Sequence, residues 1–554
     1  MNTGIHWLDW TVIAGYFALI IAVGVAAARR VKHSSDFFLG SRRFNVWMML
    51  GQSFGVGTHA EMPVSLAGAV YRTGYSAIWF QWKNIFITPF YWMLAPLFRR
   101  FRRTTLGEVY EDRYGHWMGA VYTVWALLYF IFTIGSMLKG AGKLVSAASG
   151  GMVSPEAVVL TMTAAFLLYS VVGGLVAAAW TDFVQSLFII ALSYMLIPLG
   201  LSAAGGFTGV RETLDARMLQ MVTPGEVGFF TIAMLTLNGL VGIIAQPHMV
   251  GAVGTGRDER TCRNGFMYGN FIKRFCTIGW ALVGLLVAVL LAQRGGSLAD
   301  PEEAFGYATR SLLFPGSVGL MIACVLAANM STCSAMTVDG GALFVKNLYQ
   351  RYLVRERPDN HYLKAGRVAG ILVTLLGVVF AYAVESVLEA FLFCETVAAF
   401  MGISLFGAVC WRRANRWGAL ASLLMSAAVF FAMSWVRFGA LLRWDAGNFA
   451  LCLAAGLMAL FLGSRLTAPE DARRVADFYQ RLDTPSAFDP ETGQEKAVAA
   501  PGSELLLVHA MDVLAGPGRR RFWQRFRTDI MGFLAGIAVV AGLVLLAKAI
   551  LYLP

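Results

Sequence analysis

Long apolar segments separated by short polar loops dominate the chain. The segments are about 20 residues long or longer, the length that crosses a bilayer as an α-helix. They predict fourteen transmembrane helices, at 7–28, 45–70, 76–98, 116–145, 155–172, 176–203, 228–250, 264–292, 317–348, 364–386, 388–410, 418–437, 446–464 and 530–552. The sequence therefore predicts an all-α polytopic membrane protein built as a helix bundle.

The second predicted helix is interrupted by residues that a spanning helix avoids. Its middle, from Gly51 to Pro63, reads GQSFGVGTHAEMP, and its glycines and proline weaken helical hydrogen bonding. His59 and Glu61 lie in the same stretch, and ionisable residues at membrane depth are functional-site candidates by default. We interpret the stretch as a broken helix around a binding site. The alternative is a glycine-rich helix contact with a proline kink.

The seventh predicted helix is interrupted as well, by Asn238, Gly239, Gly242, Gln246, Pro247 and His248. Interrupted helices at corresponding positions of two halves indicate the binding site of a secondary transporter. The two interrupted helices are five positions apart in the predicted order. Because a repeat of five helices contains an odd number of spans, its second copy has the opposite orientation in the membrane. We therefore predict two inverted repeats within six segments, namely a peripheral helix and loop at 1–44, the repeats at 45–203 and 204–416, peripheral helices at 417–464, a cytoplasmic loop at 465–529 and a last helix at 530–554.

Composition and charge agree with a membrane protein. Of 554 residues, 57% are hydrophobic and 14% are charged, whereas soluble domains average about 25% charged residues. The net charge of +12 does not indicate nucleic acid, because 32 of the 45 lysines and arginines lie in or next to the loops after helices 1, 3, 7, 9, 11 and 13. Basic loops stay in the cytoplasm, so both termini are predicted outside the plasma membrane. No nucleophile–base or metal-ligand spacing in the sequence rises above chance, so we do not expect an enzyme.

Several motifs resemble those of the sodium:solute symporter family, which includes sodium/glucose and sodium/proline cotransporters. They are DFFLGSRR at 36–43, LAGAVYRTG at 66–74, TTLGEVYEDRYG at 104–115, GGLVAAAWTDFVQ at 173–185, AANMSTCSAM at 327–336 and WRRANRWGA at 411–419. The resemblance implies the leucine-transporter-like five-plus-five inverted repeat. It also implies symport with Na⁺ as the coupling ion, without an organic cofactor, a nucleic-acid partner or an obligate protein partner.

A sodium site follows from the resemblance and from the chemistry of helix 9. Sodium is a hard cation that takes oxygen ligands, and Ala328, Ser331 and Thr332 share one helix face. Alignment with the family adds Gly55 and Thr58 from the broken second helix, whereas an ungapped count gives Val56 and His59. The alternative for the two hydroxyls is ordinary hydrogen bonding between helices.

The resemblance also assigns Asp182 to sodium entrance or to a second cation. The alternative is an acidic residue that complements a helix dipole.

The solute site is less defined by sequence. Six polar residues are candidates to face the central cavity, namely His59, Glu61, Gln81, Lys83, Gln246 and Glu395. The alternative for Lys83 and Glu61 is a structural ion pair. We predict a sodium-coupled symporter that imports a small organic solute, a sugar, polyol, amino acid or carboxylate, by alternating access. The competing predictions are a proton-coupled carrier of the same fold and a membrane solute sensor.

Overall fold

The computed structural model describes residues 5–28, 44–55, 58–488, 495–497, 504–514 and 522–553. Its α-helices, in chain order, are α1 Trp7–Ala28, α2 Val46–Gly55, α3 Glu61–Thr73, α4 Trp79–Trp82, α5 Asn84–Phe101, α6 Leu106–Tyr114, α7 His116–Ala148, α8 Pro155–Ala204, α9 Gly206–Thr213, α10 Phe229–Ile243, α11 Met249–Val253, α12 Glu259–Gln293, α13 Ala304–Leu312, α14 Ser317–Phe344, α15 Asp359–Ala383, α16 Val387–Cys410, α17 Arg416–Phe438, α18 Ala446–Leu466, α19 Ala472–Asp483, α20 Ala510–Leu514 and α21 Phe522–Ile550. Short 3₁₀ helices lie at Tyr75–Ile78, Ala216–Leu219 and Pro301–Glu303, and a π-helix at Val345–Leu353 follows α14. Two short antiparallel strands, β1 Ser486–Phe488 and β2 Glu495–Ala497, pair in the segment after α19.

Polar side chains mark where many of the helices begin. Each of these residues accepts a hydrogen bond from a backbone N–H of the first turn, which offsets an otherwise unsatisfied donor. The capping residues are Thr105, Ser154, Asp258, Ser386, Asn415 and Asp445. The loops that the hydropathy pattern places between the apolar segments therefore also carry the local signals that start the next helix.

The prediction of a polytopic helix bundle is confirmed. Within the described residues, eight helices are long and apolar enough to cross a membrane by length and composition. The count of fourteen stays a prediction, because the predicted helices 2, 3 and 7 are divided into shorter pieces. Predicted helix 3 is divided into the 3₁₀ turn Tyr75–Ile78, α4 and α5.

The two helices predicted at 155–172 and 176–203 are one helical run of 50 residues, α8. The separation into two elements was wrong at the level of secondary structure, because Gly173 and Gly174 do not end the helical conformation. A straight helix of this length would extend about 75 Å. Two hydrogen bonds show where its ends lie. The carbonyl of Glu156 accepts one from Tyr382 at the end of α15, and the carbonyl of Ala204 accepts one from Gln293 at the end of α12.

The ends of α7, α12 and α15 meet around Glu302. This carboxylate binds Lys143 of α7 and accepts hydrogen bonds from the backbone N–H groups of Val387 and Leu388 at 2.9 Å. Glu302 follows α12 by a short loop, and Val387 follows α15 by a few residues. Both ends of α8 therefore lie toward the same end of the bundle, so this helical run is not one straight span.

Basic loops predicted on the cytoplasmic side contact one another at one end of the bundle. Arg100, after predicted helix 3, forms a two-bond ion pair with Glu259 and donates to the carbonyl of Leu482 in α19 at 2.7 Å. Asp112 binds both Arg103 and Arg481. The loops after predicted helices 3 and 7 and the 465–529 segment therefore share one end. The first part of that segment is an ordered helix, α19, rather than a loose polar loop.

Candidate functional site

The first broken helix separates at the residues that sequence reasoning singled out. Helix α2 ends at Gly55, and α3 begins at Glu61. In the gap, the Thr58 backbone N–H donates to the Gly55 carbonyl at 3.0 Å, and the Thr58 hydroxyl donates to the Phe54 carbonyl at 2.7 Å. Gly55 and Thr58 are both buried. The predicted break is confirmed, and it leaves backbone carbonyls and a hydroxyl oxygen inside the protein.

Asn329 of α14 holds this break in place. Its side-chain oxygen accepts a hydrogen bond from the backbone N–H of Ala60 at 2.7 Å, and its amide nitrogen donates to the Met137 carbonyl of α7 at 2.7 Å. Sequence reasoning did not single out Asn329, although it lies within the AANMSTCSAM motif. A buried amide in an apolar helix was the available signal, because such a group needs partners.

A close approach of α7 completes the setting of the break. A Cβ atom added at Gly140 would lie 2.6 Å from the Glu61 Cα atom, so only glycine permits this contact. The first turn of α3 therefore lies directly against α7 on one side, while Asn329 binds the residue just before α3 from α14.

The predicted sodium residues of α14 are buried on either side of Asn329 in the sequence. Ala328, Ser331 and Thr332 are at most 4% exposed. Within the described part of the chain, Ser331 Oγ and Thr332 Oγ1 have no hydrogen-bond partner. Buried helical threonines usually donate to the carbonyl four residues back, as Thr337 does to Cys333 at 2.8 Å. Two buried hydroxyl oxygens without protein partners fit the needs of a hard monovalent cation.

Asp182 lies in α8, but its side chain is outside the described part of the structure. Its assignment to a cation stays a prediction from the family resemblance.

A central cavity of about 110 Å³ opens beside the break. Four of the six predicted solute residues line it, namely His59, Glu61, Gln246 and Glu395. Aromatic and apolar side chains form most of the rest, including Tyr91, Tyr129, Ile243, Phe266, Met336 and Phe391. A small cavity with apolar walls and a few convergent polar groups is typical of a small-molecule site.

The charged residues at the cavity pair differently from the ion pair considered in the sequence analysis. Glu61 binds His59 two residues away, and Lys83 binds Glu395 of α16. Lys83 also donates to the Phe80 carbonyl at 3.0 Å and lies 5.0 Å from the centre of the Phe391 ring. The alternative of a Lys83–Glu61 pair is therefore wrong. The carboxylate that pairs with Lys83 is that of Glu395, which α16 places beside the lysine and which sequence order alone does not reveal.

Gln81 and Lys83 are buried but are not among the residues that line the cavity. The Gln81 amide donates to the Ser65 hydroxyl of α3 at 3.3 Å. Lys83 is connected to the cavity through Glu395. Their part in solute binding stays a prediction.

The second broken helix separates between α10, which ends at Ile243, and α11, which begins at Met249. Its open backbone is bound by the hydroxyl of Tyr122, which donates to the Ala245 carbonyl at 2.9 Å. Upstream, the Asn238 amide donates to Thr396 Oγ1 at 3.0 Å. The second predicted break is confirmed, and both breaks border the same cavity through Glu61 and Gln246.

Sequence reasoning missed two cations of the cavity. Lys273 and Arg274 lie in the middle of α12, are 5% and 2% exposed, and line the cavity. Both stand inside the apolar segment predicted at 264–292. The rule that selected His59 and Glu61, an ionisable group at membrane depth, applies equally to them.

Two interrupted helices around a buried polar cavity, within a bundle of long apolar helices, define a multi-pass membrane transporter. The profile of the sodium:solute symporter family matches residues 37–426. This protein belongs to the sodium:solute symporter family, whose members are transporters and not enzymes.

Relatives in the family are distant in sequence but similar in length. The high-affinity proline transporter PutP of Bacillus subtilis is 25% identical over 494 residues, covering 84% of this chain and all of that one. The sodium/pantothenate symporter of Escherichia coli is 23% identical over 449 residues, covering 76% of this chain and 89% of the relative. A solved Na⁺-coupled sialic acid symporter, in a substrate-bound outward-open state, matches with a TM-score of 0.70 at 18% identity. That match covers 84% of this chain and 99% of the other, and it shows a shared fold.

Proposed function

We propose that this protein imports a small organic solute across the cell membrane by sodium-coupled symport. The observation that carries the proposal is the pair of buried hydroxyl oxygens of Ser331 and Thr332, which have no partner within the described residues. They follow Asn329, which binds the first broken helix beside the solute cavity. Named relatives carry proline, glucose and pantothenate, which agrees with a small organic solute.

The ion site consists of Gly55 and Thr58 from the first break and of Ala328, Ser331 and Thr332 from α14. Sodium at this position stabilises one arrangement of α2, α3 and α14, the elements that also border the cavity. Solute then binds more tightly when sodium is present, and sodium binds more tightly when solute is present, because the coupling free energy is shared. Asp182 is the candidate for attracting the cation from the cytoplasmic side.

The orientation in the membrane is part of the same proposal. The basic loops that meet at Arg100, Asp112 and α19 lie in the cytoplasm, and both termini lie outside.

A thermal-shift screen of the purified protein tests the proposal. Proline, glucose, pantothenate and simple polyols are each added in sodium chloride and in potassium chloride. Binding to the native state raises the apparent unfolding temperature by mass action, so one solute is expected to stabilise the protein more in sodium than in potassium. Equal stabilisation in the two salts contradicts sodium coupling.

A proton-coupled carrier is the second candidate, because one observation favours it. The buried His59–Glu61 pair at the cavity offers a proton-accepting group at membrane depth. Uptake into proteoliposomes separates the two functions. A sodium gradient without a pH gradient drives uptake in the first, and a pH gradient without sodium drives it in the second.

A further inference from the structure

Two neighbouring cations of α12, Lys273 and Arg274, point to the chemical class of the solute. We infer that the cavity takes an organic anion and that these two side chains bind its carboxylate. The inference rests on the proposed transport function and adds to it the charge of the transported molecule.

Neither cation forms a direct ion pair with a carboxylate among the described residues, although Glu61 and Glu395 lie near enough to act electrostatically on Lys273, and Glu395 on Arg274. Among the residues that the structure describes, Lys273 has no ion-pair or hydrogen-bond partner for its ammonium group, and Arg274 Nη1 has no hydrogen-bond partner. The hydrogen-bond partners of the Arg274 side chain are neutral groups, namely the Tyr91 hydroxyl, Thr88 Oγ1 at 3.5 Å and Asn270 Oδ1 at 3.4 Å. Both cations are nonetheless almost wholly buried.

Another arginine of the same helix shows what a compensated cation looks like here. Arg263, also in α12, pairs with Asp529 at 2.6 Å and donates to the Trp92 carbonyl at 2.9 Å. It is as buried as Lys273. Burial of a charge is costly unless the charge is paired. The fold supplies a directly paired carboxylate for Arg263, and among the described residues it supplies none for Lys273 or Arg274.

The carboxylates of the cavity are already engaged. Glu61 binds His59, and Glu395 binds Lys83. Among the described residues, the cations Lys273 and Arg274 line the cavity and Lys83 lies beside it, against two carboxylates. One positive charge is therefore left when the histidines are neutral. A solute with one negative charge neutralises the cavity.

Geometry agrees with the charge. A guanidinium presents paired N–H donors that match a carboxylate, and an ammonium adds a point charge beside it. The Arg274 carbonyl accepts a hydrogen bond from Trp82 Nε1 at 2.9 Å, which fixes this part of α12 against α4. Apolar side chains also line the cavity, with Ile243, Met336 and Phe391 among them. The cavity therefore fits a small organic carboxylate with an apolar body.

Paired ligands test the inference on the purified full-length protein. Lactate, benzoate and pantothenate are compared with the corresponding amides, or with the alcohol in the case of pantothenate, by thermal shift in sodium chloride. We expect at least one carboxylate to stabilise the protein and its uncharged-end analogue to have little effect. Equal stabilisation by an analogue, stabilisation by neutral sugars alone, or no stabilisation by any carboxylate overturns the inference.

Substitutions of Lys273 and Arg274 test whether these two side chains bind the carboxylate. Lys273→Gln and Arg274→Gln should each weaken carboxylate binding by about tenfold or more, the usual scale for a buried charged hydrogen bond, and Arg274→Lys should restore part of the loss. Arg294→Gln is the matched control, because Arg294 follows α12 directly and is exposed. Carboxylate affinity that is unchanged in folded Lys273→Gln and Arg274→Gln proteins contradicts the assignment. If both variants fail to fold, the comparison of each carboxylate with its uncharged analogue on the native protein decides whether the cavity takes an organic anion.

The outcomes separate this inference from the proposed function. A neutral solute that binds better in sodium keeps the symport proposal and overturns the anion site. A carboxylate that binds equally in sodium and potassium keeps the anion site and overturns sodium coupling.

Discussion

The side-chain oxygen of Asn329 accepts a hydrogen bond from the backbone N–H of Ala60 at 2.7 Å, across 269 residues of chain. This contact joins the gap of the first broken helix to α14, two residues before Ser331. The same amide donates to the Met137 carbonyl of α7. Three helices that surround the candidate ion and solute sites are therefore held in register by one buried side chain.

Replacement of this amide should lower stability and sodium affinity together. Asn329→Ala leaves the Ala60 N–H and the Met137 carbonyl without their partners, which costs roughly 1–3 kcal/mol for buried polar groups. We expect a lower unfolding temperature and a higher sodium concentration for half-maximal binding. Asn329→Gln keeps both a neutral acceptor and a neutral donor on a longer side chain, so it should retain more sodium affinity than the alanine variant. Equal stability of Asn329→Ala and the native protein contradicts the anchoring role.

Removal of either unpartnered hydroxyl should weaken sodium binding selectively. Ser331→Ala and Thr332→Ala each remove one oxygen from the proposed site, and the expected loss is roughly 1–3 kcal/mol, where 1.4 kcal/mol is about tenfold in affinity. Solute affinity should fall at low sodium and recover at saturating sodium, because coupling is reciprocal. The measurement is the sodium dependence of solute uptake.

Cys333→Ala is the control for this pair of variants. Cys333 is the next residue along α14 and is equally buried, but it offers no hard oxygen ligand. Its sodium dependence should match that of the native protein. If the sodium concentration for half-saturation is unaltered in both Ser331→Ala and Thr332→Ala, this face of α14 packs against neighbouring helices and does not bind the ion.

Neutralisation of Glu61 should change solute recognition more than folding. Glu61 lines the cavity, and one of its oxygens has no hydrogen-bond partner in the described part of the protein. Glu61→Gln keeps the shape of the side chain, so we expect near-native expression with altered solute affinity or selectivity in uptake assays. Loss of folded protein without a selective transport effect would make Glu61 a structural partner of His59.

The segment before α21 should be most stable at mildly acidic pH. His509 Nε2 lies 3.0 Å from Asp483 Oδ1 at the end of α19, and this hydrogen bond raises the pKa of His509 above its usual value, with Asp512 adding to the effect. A raised folded-state pKa gives stabilisation that is complete below about pH 6.5, the unfolded pKa, and is lost as pH rises through the folded pKa.

Limited proteolysis between pH 5.5 and 8.5 measures this effect. Cleavage in residues 504–514 should increase with pH in the native protein, and His509→Gln should remove most of the pH dependence. Protease activity is normalised on an unfolded substrate at each pH. A pH dependence that persists in the variant assigns the effect to other groups.

Cysteine labelling tests the predicted topology. A cysteine at Ser486, in β1, and one added after Pro554 should react with an impermeant maleimide from opposite sides of the membrane, because the basic loops place the 465–529 segment inside and both termini outside. The seven native cysteines, none of them exposed in the structure, are replaced beforehand where they react. Labelling of both positions from one side contradicts the fourteen-helix topology.

The sequence by itself determined the helix bundle, the two breaks and the family. Each of these depends on local composition: apolar length sets a span, and glycine, proline and polar residues clustered within a few positions interrupt it. The hydroxyls of Ser331 and Thr332 could be selected for the same reason, because one helix face can be derived from spacing alone. Helix ends were predicted less well, and the run at α8 shows that two glycines do not by themselves stop a helix.

Only the tertiary structure decided which charges meet. Lys83 pairs with Glu395 rather than with Glu61, and Asn329 binds Ala60. Lys273 and Arg274 line the cavity without a direct ion pair among the described residues. These relations join helices that are tens to hundreds of residues apart, and no local pattern encodes the distance between two side chains on different helices. Packing sets that distance, and the low polarity around a buried charge makes each such pairing, or its absence, energetically decisive.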